Sequence, residues 1–332
     1  MQIEQTGTSI LQEEPLVSFI IIAYNLPIDM LKECVESILT LGLDHREYEI
    51  ILVDDGSDVP VIAQLTDFQD VLFYLRQQNQ GISVARNNGL RVAKGKYIQF
   101  IDGDDKLLND PYCQCMDLLR AENPDMLLFN FTDKDHPSGK AFKYESPSTG
   151  ASYMHTHNLH ASACCYLFLK NLLAGQTFTP GIYHEDEEFT PLLMLKAEKV
   201  IATDSAPYYY RKREESIVNK VDDNEHVAKR LDDTEQIIYK LKHKADTLPE
   251  MERVAMNRRV AQLTMDYIYR IITQTKSRNY LTHKIEELRK EGLYPLPEKD
   301  YTAKYSWFRR LSNSQTGQNI LLRLLPLLKE ER

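Results

Sequence analysis

The sequence predicts an α/β fold: a Rossmann-like, mostly parallel sheet flanked by helices, followed by a C-terminal α-helical extension. Apolar runs of strand length alternate with helical patterns over roughly the first 130 residues. Such alternation is typical of parallel strands joined by right-handed helical crossovers. Beyond about residue 222, charged stretches with periodic apolar positions contain few glycines or prolines, which predicts the helical extension.

The elements of the sheet follow from these patterns in chain order. Residues 17–23 form a continuous apolar run, which is expected for a strand buried on both faces. The remaining predictions are a helix at 30–41, strands at 48–53 and 71–75, a helix at 82–93, strands at 97–101 and 126–131, a loop over 133–152, a helix at 189–197 and a late strand at 208–210.

Three segments are predicted along the chain: a main α/β domain at 1–220, a helical extension at 221–300 and an amphipathic basic tail at 301–332. The extension shows helical patterns at 224–243, 248–275 and 278–291. The tail contains Trp307 and a leucine-rich run with interspersed cations. It suits either a membrane surface or docking of its leucines on the body, and Pro326, which would break a long helix, disfavours the membrane.

Composition limits the classes of function. The 332 residues carry a formal net charge of −9, which argues against nucleic acid as a partner. No apolar run approaches the roughly 20 residues of a membrane-spanning helix. The acidic N-terminus lacks the apolar core of a signal peptide, so a cytoplasmic location is expected. The five irregularly spaced cysteines predict reduced thiols. Composition does not predict an oligomeric state.

Polar clusters follow three of the predicted strands. Tyr24 and Asn25 follow the first strand, Asp54 and Asp55 the second, and the segment Asp102–Asp105 the strand at 97–101. Because the carboxyl ends of parallel strands share one edge of the sheet, where ligands bind, the three clusters should lie together.

The aspartates of these clusters allow two interpretations each. One interpretation of the cluster Asp102, Asp104 and Asp105 is a site for a hard divalent cation that keeps open positions for a diphosphate. The other is a turn, because aspartate and glycine are residue types that favour turns. The neighbouring clusters favour the metal. Asp55 could accept from a nucleobase or a ribose hydroxyl, whereas the turn or N-cap alternative suits Asp54. Tyr24 could stack on a base or be structural.

Two further charged groups complete the candidate site. Arg86, on the helix before the aspartate strand, could meet a phosphate or pair with an aspartate at the sheet edge, and the second role is favoured. His184, Glu185 and Asp186 precede an apolar helical run. The helix dipole alone could explain acidic residues in a first turn, but Asp186 is also a candidate general base.

Six segments in this order resemble the family-2 glycosyltransferases: VSFIIIAYN, EIILVDDGS, QNQGISVARNNGL, GKYIQFIDGDD, GIYHEDEEFTPLLM and YYYRKREESI. The resemblance covers about residues 16–220 and implies the GT-A fold, inversion at the sugar, and a role in bacterial polysaccharide assembly. It does not cover the helical extension.

The resemblance also implies roles for individual residues. Donor-binding residues would be Tyr24, Asn25, Asp55, Arg86, Asp102 and Asp104. Asp104, with Asp102 and Asp105, would bind Mn²⁺ or Mg²⁺. Asp186 would be the base, with His184 and Glu185 on the acceptor side, and Tyr210 and Arg213 would lie near the donor phosphates. The sequence departs from the family at Gly103, where serine is frequent, a change expected to matter little, and at 164–168, where many relatives have tryptophan.

The function predicted from this resemblance is metal-assisted transfer of one sugar from a nucleoside-diphosphate donor, UDP in particular, to a hydroxyl of a glycan or lipid-linked glycan. The Q-x-x-R-W pattern of processive synthases is absent after Asp186. The alternatives are a nucleotidyltransferase, disfavoured by the lack of a glycine-rich, lysine-bearing loop after the first strand, and a non-catalytic glycan- or nucleotide-binding module, disfavoured by the intact carboxylates.

Overall fold

The computed structural model describes residues 14–135, 142–212 and 224–330. Its strands are β1 (Val17–Ala23), β2 (Tyr48–Asp54), β3 (Leu72–Arg76), β4 (Tyr97–Asp102), β5 (Lys106–Leu107), β6 (Met126–Leu128), β7 (Phe131–Thr132), β8 (Tyr166–Leu169), β9 (Val200–Ala202) and β10 (Tyr208–Tyr209). Its α-helices are α1 (Ile28–Leu39), α2 (Ile82–Val92), α3 (Asn109–Glu122), α4 (Gly150–Thr156), α5 (Glu185–Met194), α6 (Asn224–Asp246), α7 (Glu250–Arg270), α8 (Arg278–Lys290), α9 (Ala303–Ser312) and α10 (Gln315–Glu330).

A seven-stranded sheet in the order β3-β2-β1-β4-β8-β6-β9 confirms the predicted α/β fold with a mostly parallel sheet. The pairs among β1 to β4 are parallel, whereas β8 is antiparallel to both β4 and β6. Every residue of β1 is buried, because helices cover both faces of a sheet built from βαβ units.

The structure corrects two of the predicted element boundaries. The run at 126–131 does not form one strand: β6 belongs to the large sheet, while β7 pairs with β10 in a small three-stranded sheet. Backbone bonds from Phe129 to Cys165 and from Asn130 to Ser205 connect the two pieces. Helix α5 begins at Glu185, four residues before the predicted apolar run, so the acidic residues form its first turn.

The helical extension predicted after residue 222 is present as α6, α7 and α8, followed by α9 and α10. These helices enclose a second cluster of buried apolar side chains, separate from the cluster around the sheet. Helix α7 packs against α6 and also against α4 of the sheet domain. The extension is therefore in direct contact with the sheet domain.

The tail helices have one buried and one exposed face. Tyr305 and Leu321 are buried in the second cluster, as the docking alternative expects, while Trp307, Leu324 and Leu327 are more than half exposed. Helix α10 continues through Pro326 instead of ending there. Among the residues that the structure describes, no helix combines the length and apolarity needed to cross a bilayer.

Candidate active site

The three polar clusters meet at the carboxyl edge of the parallel strands, as the sequence predicts. In the register of the sheet, Ala23 at the end of β1 lies beside Asp54, and Ile22 lies beside Asp102. Backbone bonds continue this pairing past the strand ends, from the Asp55 N–H to the Ala23 carbonyl and from the Gly103 N–H to the Ile22 carbonyl.

Arg86 connects this edge to the first turn of α5. Its Nη1 donates to Glu185 at 2.5 Å and its Nη2 donates to Asp102 at 3.3 Å. The guanidinium is buried and lies over the rings of Phe100 and Phe178. Burial disfavours its charge, but the two carboxylates outweigh that effect and raise the pKa of Arg86. Of the two roles considered from the sequence, Arg86 therefore has the second in this structure: it pairs with an aspartate at the sheet edge.

The two asparagines that follow Arg86 fix neighbouring loops, and the sequence analysis missed both. The Asn87 side chain donates to the carbonyl of Phe178 at 2.8 Å and accepts from its N–H at 2.9 Å. Asn88 donates to the side chain of Gln77, which in turn donates to Asp55 at 2.7 Å. Three consecutive side chains of α2 therefore position the α5 turn, the loop before it and the Asp55 loop.

Asp186 is the only one of residues 184–187 whose side chain has no hydrogen bond or ion pair within the described part of the chain. It is partly accessible to solvent. The pKa of the Asp186 carboxyl is raised to about 7, first by burial and then by Glu185, against the lowering effects of Arg86 and Arg259. A carboxylate with a pKa near neutral and free oxygens suits proton abstraction.

The aspartates of the cluster divide into two groups. Asp102 and Asp104 are partly exposed, and the Asp102 side chain is 37% accessible. Asp105 is buried, where its carboxylate accepts from the Tyr208 hydroxyl at 2.7 Å and from the Arg211 N–H at 2.8 Å. Burial raises the pKa of Asp105. Asp105 is therefore engaged in bracing its own loop.

Two partly exposed carboxylates match the way in which Mn²⁺ or Mg²⁺ binds beside a substrate diphosphate, with one or two protein ligands and open positions. Asp102 and Asp104 provide such hard oxygen donors. Within the ranges described, no group of three His, Cys, Asp or Glu side chains could bind a metal without a substrate.

Asp54 has the turn role expected for it, whereas Asp55 is also buried and its carboxylate is bonded to the next loop rather than exposed for a nucleotide. Asp54 is fully buried and accepts from the Ser57 N–H, the Val61 N–H and the Tyr74 hydroxyl, so it organises the turn. Asp55 accepts from the N–H groups of Gln80 and Gly81, both at 2.9 Å. Its carboxylate therefore also fixes the loop that leads into α2.

Tyr24 and Asn25 lie beside Asp55 at the same edge. Asn25 has a left-handed backbone, with φ 45°. Its N–H donates to Ser57 and its side chain accepts from Asp58, so it ties the first loop to the second. The Tyr24 ring is about half exposed and free to offer a stacking face.

Gly103 matters more in this loop than the sequence analysis expects. A Cβ atom at this position would lie 2.8 Å from the Ile22 carbonyl oxygen and 2.8 Å from a Leu26 methyl. Serine would require the β1 end or the loop to shift. Glycine thus permits the close approach of the aspartate loop to β1.

Tyr208 in β10 and Arg211 just after it stabilise the loop that carries Asp102–Asp105. The sequence analysis named other residues of this segment, Tyr210 and Arg213. The Tyr208 hydroxyl accepts from the Asp102 N–H at 3.1 Å while donating to Asp105. Arg211 donates to the Asp104 carbonyl at 2.9 Å and to Glu33 at 2.7 Å. Tyr210, named from the resemblance, packs on Phe131, and Arg213 lies outside the described residues.

His184 is the N-cap residue that immediately precedes α5, and its backbone is left-handed, with φ 61°. Its Nε2 lies 2.6 Å from Nη1 of Arg270. The pKa of His184 is lowered to about 4, first by burial and then by the charge of Arg270. The imidazole is therefore neutral at pH 7 and accepts from Arg270, which makes it a fixed part of the wall beside Asp186.

The fold and this site define the class of protein: a mostly parallel α/β domain has partly exposed aspartates at the carboxyl edge of its sheet. In the first turn of α5, the Asp186 carboxylate has no hydrogen bond from the described residues. Residues 18–174 match the family model "Glycosyl transferase family 2". These residues, a little under half of the chain, are similar to the family-2 glycosyltransferases, as the sequence motifs predict.

Individual relatives agree with this assignment. The chain is 32% identical over 152 residues to the putative glycosyltransferase EpsH of Bacillus subtilis, a match that covers 45% of this chain and 43% of EpsH. The matched part of this chain spans less than half the length of EpsH and of two further curated relatives.

Two solved structures show the fold over nearly the whole chain. One is S. aureus TarS 1-349 in complex with UDP-GlcNAc, with a TM-score of 0.63 and 17% identity, covering 95% of this chain and 91% of that one. The other is the mannosyltransferase PcManGT from Pyrobaculum calidifontis in complex with GDP-Man and Mn²⁺, with a TM-score of 0.54 and 12% identity, covering 96% and 88%.

Proposed function

We propose that this protein is an inverting glycosyltransferase that moves one sugar from a UDP-sugar to a hydroxyl of a glycan or lipid-linked glycan. The observation that carries the proposal is the Arg86 bridge. One buried guanidinium binds both Asp102, at the edge where a donor would lie, and Glu185, the neighbour of the proposed base. Donor-side and acceptor-side carboxylates are thereby brought within one side chain of each other.

Asp186 is proposed as the general base. Its carboxylate would take the proton of the acceptor hydroxyl while the hydroxyl oxygen attacks the anomeric carbon and the bond to the diphosphate breaks. The nucleoside diphosphate leaves with the electron pair of that bond. A pKa near 7 supports this role, because about half of the base is then ionised at neutral pH and the base still binds the transferred proton well.

Donor binding is proposed for the edge formed by Tyr24, Asn25, Asp55, Asp102 and Asp104. The half-exposed Tyr24 ring offers a stacking face for the base, and Asp55 lies in the adjacent loop. Asp102 and Asp104 would bind Mn²⁺ or Mg²⁺ together with the diphosphate. The ion would supply charge neutralisation for the leaving group. The UDP-GlcNAc in the TarS structure and the Mn²⁺ in the PcManGT structure support these choices.

The exposed face of the tail is proposed to contact an anionic membrane that carries the acceptor. Lys304, Trp307 and Arg310 are all exposed and recur every three residues on α9. On α10, Ile320, Arg323, Leu324 and Leu327 are exposed. Cations interleaved with large apolar side chains complement anionic lipid, and they occur here on a chain whose net charge is −9.

Two variants test the transfer mechanism together. Asp186→Asn should abolish transfer from UDP-sugars to glycan acceptors, while calorimetry still detects UDP binding with unchanged affinity. Asp104→Ala should weaken UDP binding and reduce its dependence on Mn²⁺. The proposal fails if Asp186→Asn turns over at the wild-type rate, or if neither UDP nor any UDP-sugar binds the wild-type protein.

A further inference from the structure

Arginine side chains bind three of the four residues at the start of α5, positions 184–187. Arg270 binds His184, Arg86 binds Glu185, and Arg259 binds Glu187. Asp186, between them, is left with no hydrogen bond from any described residue. Its neighbours therefore fix the backbone that carries it, while its own carboxylate oxygens stay available to a substrate.

Two of these three arginines come from α7, outside the part of the chain that the family model matches. They lie 11 residues apart, close to three full helical turns, and so share one face of α7. Arg259 is buried, with its Nη1 donating to the Leu159 carbonyl at 2.9 Å and its Nη2 to the Glu187 carboxylate. Arg270 reaches the opposite end of the α5 turn.

We infer that α7 completes the active site, with Arg259 as a positioning residue that orients Asp186 through Glu187. This inference rests on the proposed base role of Asp186. Asp186 lies between the two residues that α7 binds, so any rotation of the α5 turn that moves its carboxylate must break one of these contacts. Among the residues described, the sheet domain supplies one side-chain contact to positions 184–187, the contact from Arg86.

The charges around Asp186 give Arg259 a second effect on the same group. Facing Asp186 are Glu185 from its own helix, Asp102 from β4, Arg86 from α2, and Arg259 and Arg270 from α7. The carboxylates favour the protonated acid and the arginines favour the ionised base. Cys165 and Tyr166 also face Asp186, but burial raises the pKa of each, so both are neutral in this pH range. Loss of Arg259 would therefore move the pH range in which Asp186 is ionised upward, besides loosening its orientation.

A purely structural role for Arg259 is the competing explanation, and the chain contains a matched control. Arg258, the preceding residue, also connects α7 to the sheet domain, by donating to the His155 carbonyl at the end of α4 and to Asn158 at 3.1 Å. Within the described residues, its side chain has no hydrogen bond or ion pair to the first turn of α5. Arg258→Gln therefore removes a similar docking contact without touching the neighbours of Asp186.

The experiment compares Arg259→Gln, Arg259→Lys and Arg258→Gln in the full chain. For Arg259→Gln we expect kcat to fall by about tenfold to a hundredfold, the range set by small misplacement of a reacting group. The acidic limb of the kcat profile should move to higher pH, and the Kd for UDP with Mn²⁺ should not change. Arg259→Lys should restore the position of the limb but only part of kcat. Arg258→Gln should lower the unfolding midpoint and leave the pH limb unmoved.

Several results would overturn the inference. Equal losses of kcat in Arg258→Gln and Arg259→Gln, with the same pH profile, would mean that Arg259 only docks α7. If Arg259→Gln does not fold, Glu187→Gln tests the same link from the other side, and a wild-type kcat and pH limb there would refute it. Wild-type turnover in Asp186→Asn would instead remove the base itself, which separates failure of the proposed function from failure of this inference.

Discussion

Replacing Arg86 with methionine tests the contact on which the site depends. Methionine has a similar length and can occupy the space beside Phe100 and Phe178. The substitution removes both ion pairs and leaves Glu185, which is buried, and Asp102 facing each other without a cation. An uncompensated buried carboxylate is costly because it loses its hydration without gaining a partner.

The magnitude follows from the exposure of the two carboxylates. Removing one partner of a buried ion pair costs about 3–5 kcal/mol. The Asp102 side chain is 37% accessible, so water replaces much of its interaction with Arg86 and its share is small. Glu185, at 11% side-chain accessibility, accounts for most of the loss. We therefore expect about 3 kcal/mol, the lower end of that range.

Urea unfolding followed by circular dichroism measures this loss. With a slope of about 3 kcal/mol/M for a chain of this size, the midpoint should fall by about 1 M. The double variant Arg86→Met/Glu185→Gln should be more stable than Arg86→Met, since it removes the unpaired charge. A loss below about 1 kcal/mol in the single variant, or a double variant no more stable than the single, would refute the reasoning.

Three further predictions follow from the structure. Because burial raises the pKa of Asp186 to about 7, kcat at saturating donor should rise with pH through about 7, and a flat profile between pH 5 and 8 would exclude Asp186 as the base. The folded state also binds the Asp186 proton more tightly than the unfolded chain does. The free energy of unfolding therefore falls as the pH rises from about 4 to about 7, and it stays lower above that range. Asp186→Asn should therefore unfold at higher urea than wild type at pH 8 and at the same urea near pH 4, and equal midpoints at both pH values would contradict the shift. Finally, the protein should co-sediment with vesicles containing anionic lipid and not with neutral ones, with binding weakened by salt and by Trp307→Ser/Leu324→Ser; equal binding to both vesicles would rule out charge complementarity.

The sequence predicts the part of the fold that depends on uninterrupted burial. Strands β1, β2 and β4 are apolar along their length because they lie inside the sheet, and their ends could be found to within a residue or two. Where the chain leaves this regular pattern the prediction failed. The antiparallel β8 is inserted between β4 and β6, and the run at 126–131 divides between two sheets, because pairing partners distant in sequence decide both outcomes.

The candidate site shows the same division. Polar residues at strand ends have a sequence signal, since the sheet itself brings them together, and Asp55, Asp102 and Asp104 were found this way. Residues that act by binding those groups have no such signal. Asn88 reaches Asp55 only through Gln77, and Tyr208 contacts the aspartate loop from about 100 positions away. Their roles depend on side-chain geometry that periodicity does not encode.

The contrast between Asp186 and its neighbours points to a balance between stability and activity. A carboxylate with a raised pKa and no bound donor reduces the stability of the fold at neutral pH, and an arginine placed on it would remove that cost. The protein places arginines on the residues around it instead, one from α2 and two from α7. In the proposed mechanism, this arrangement would fix the direction of the Asp186 side chain without occupying its oxygens, as a base that accepts a proton from a substrate requires.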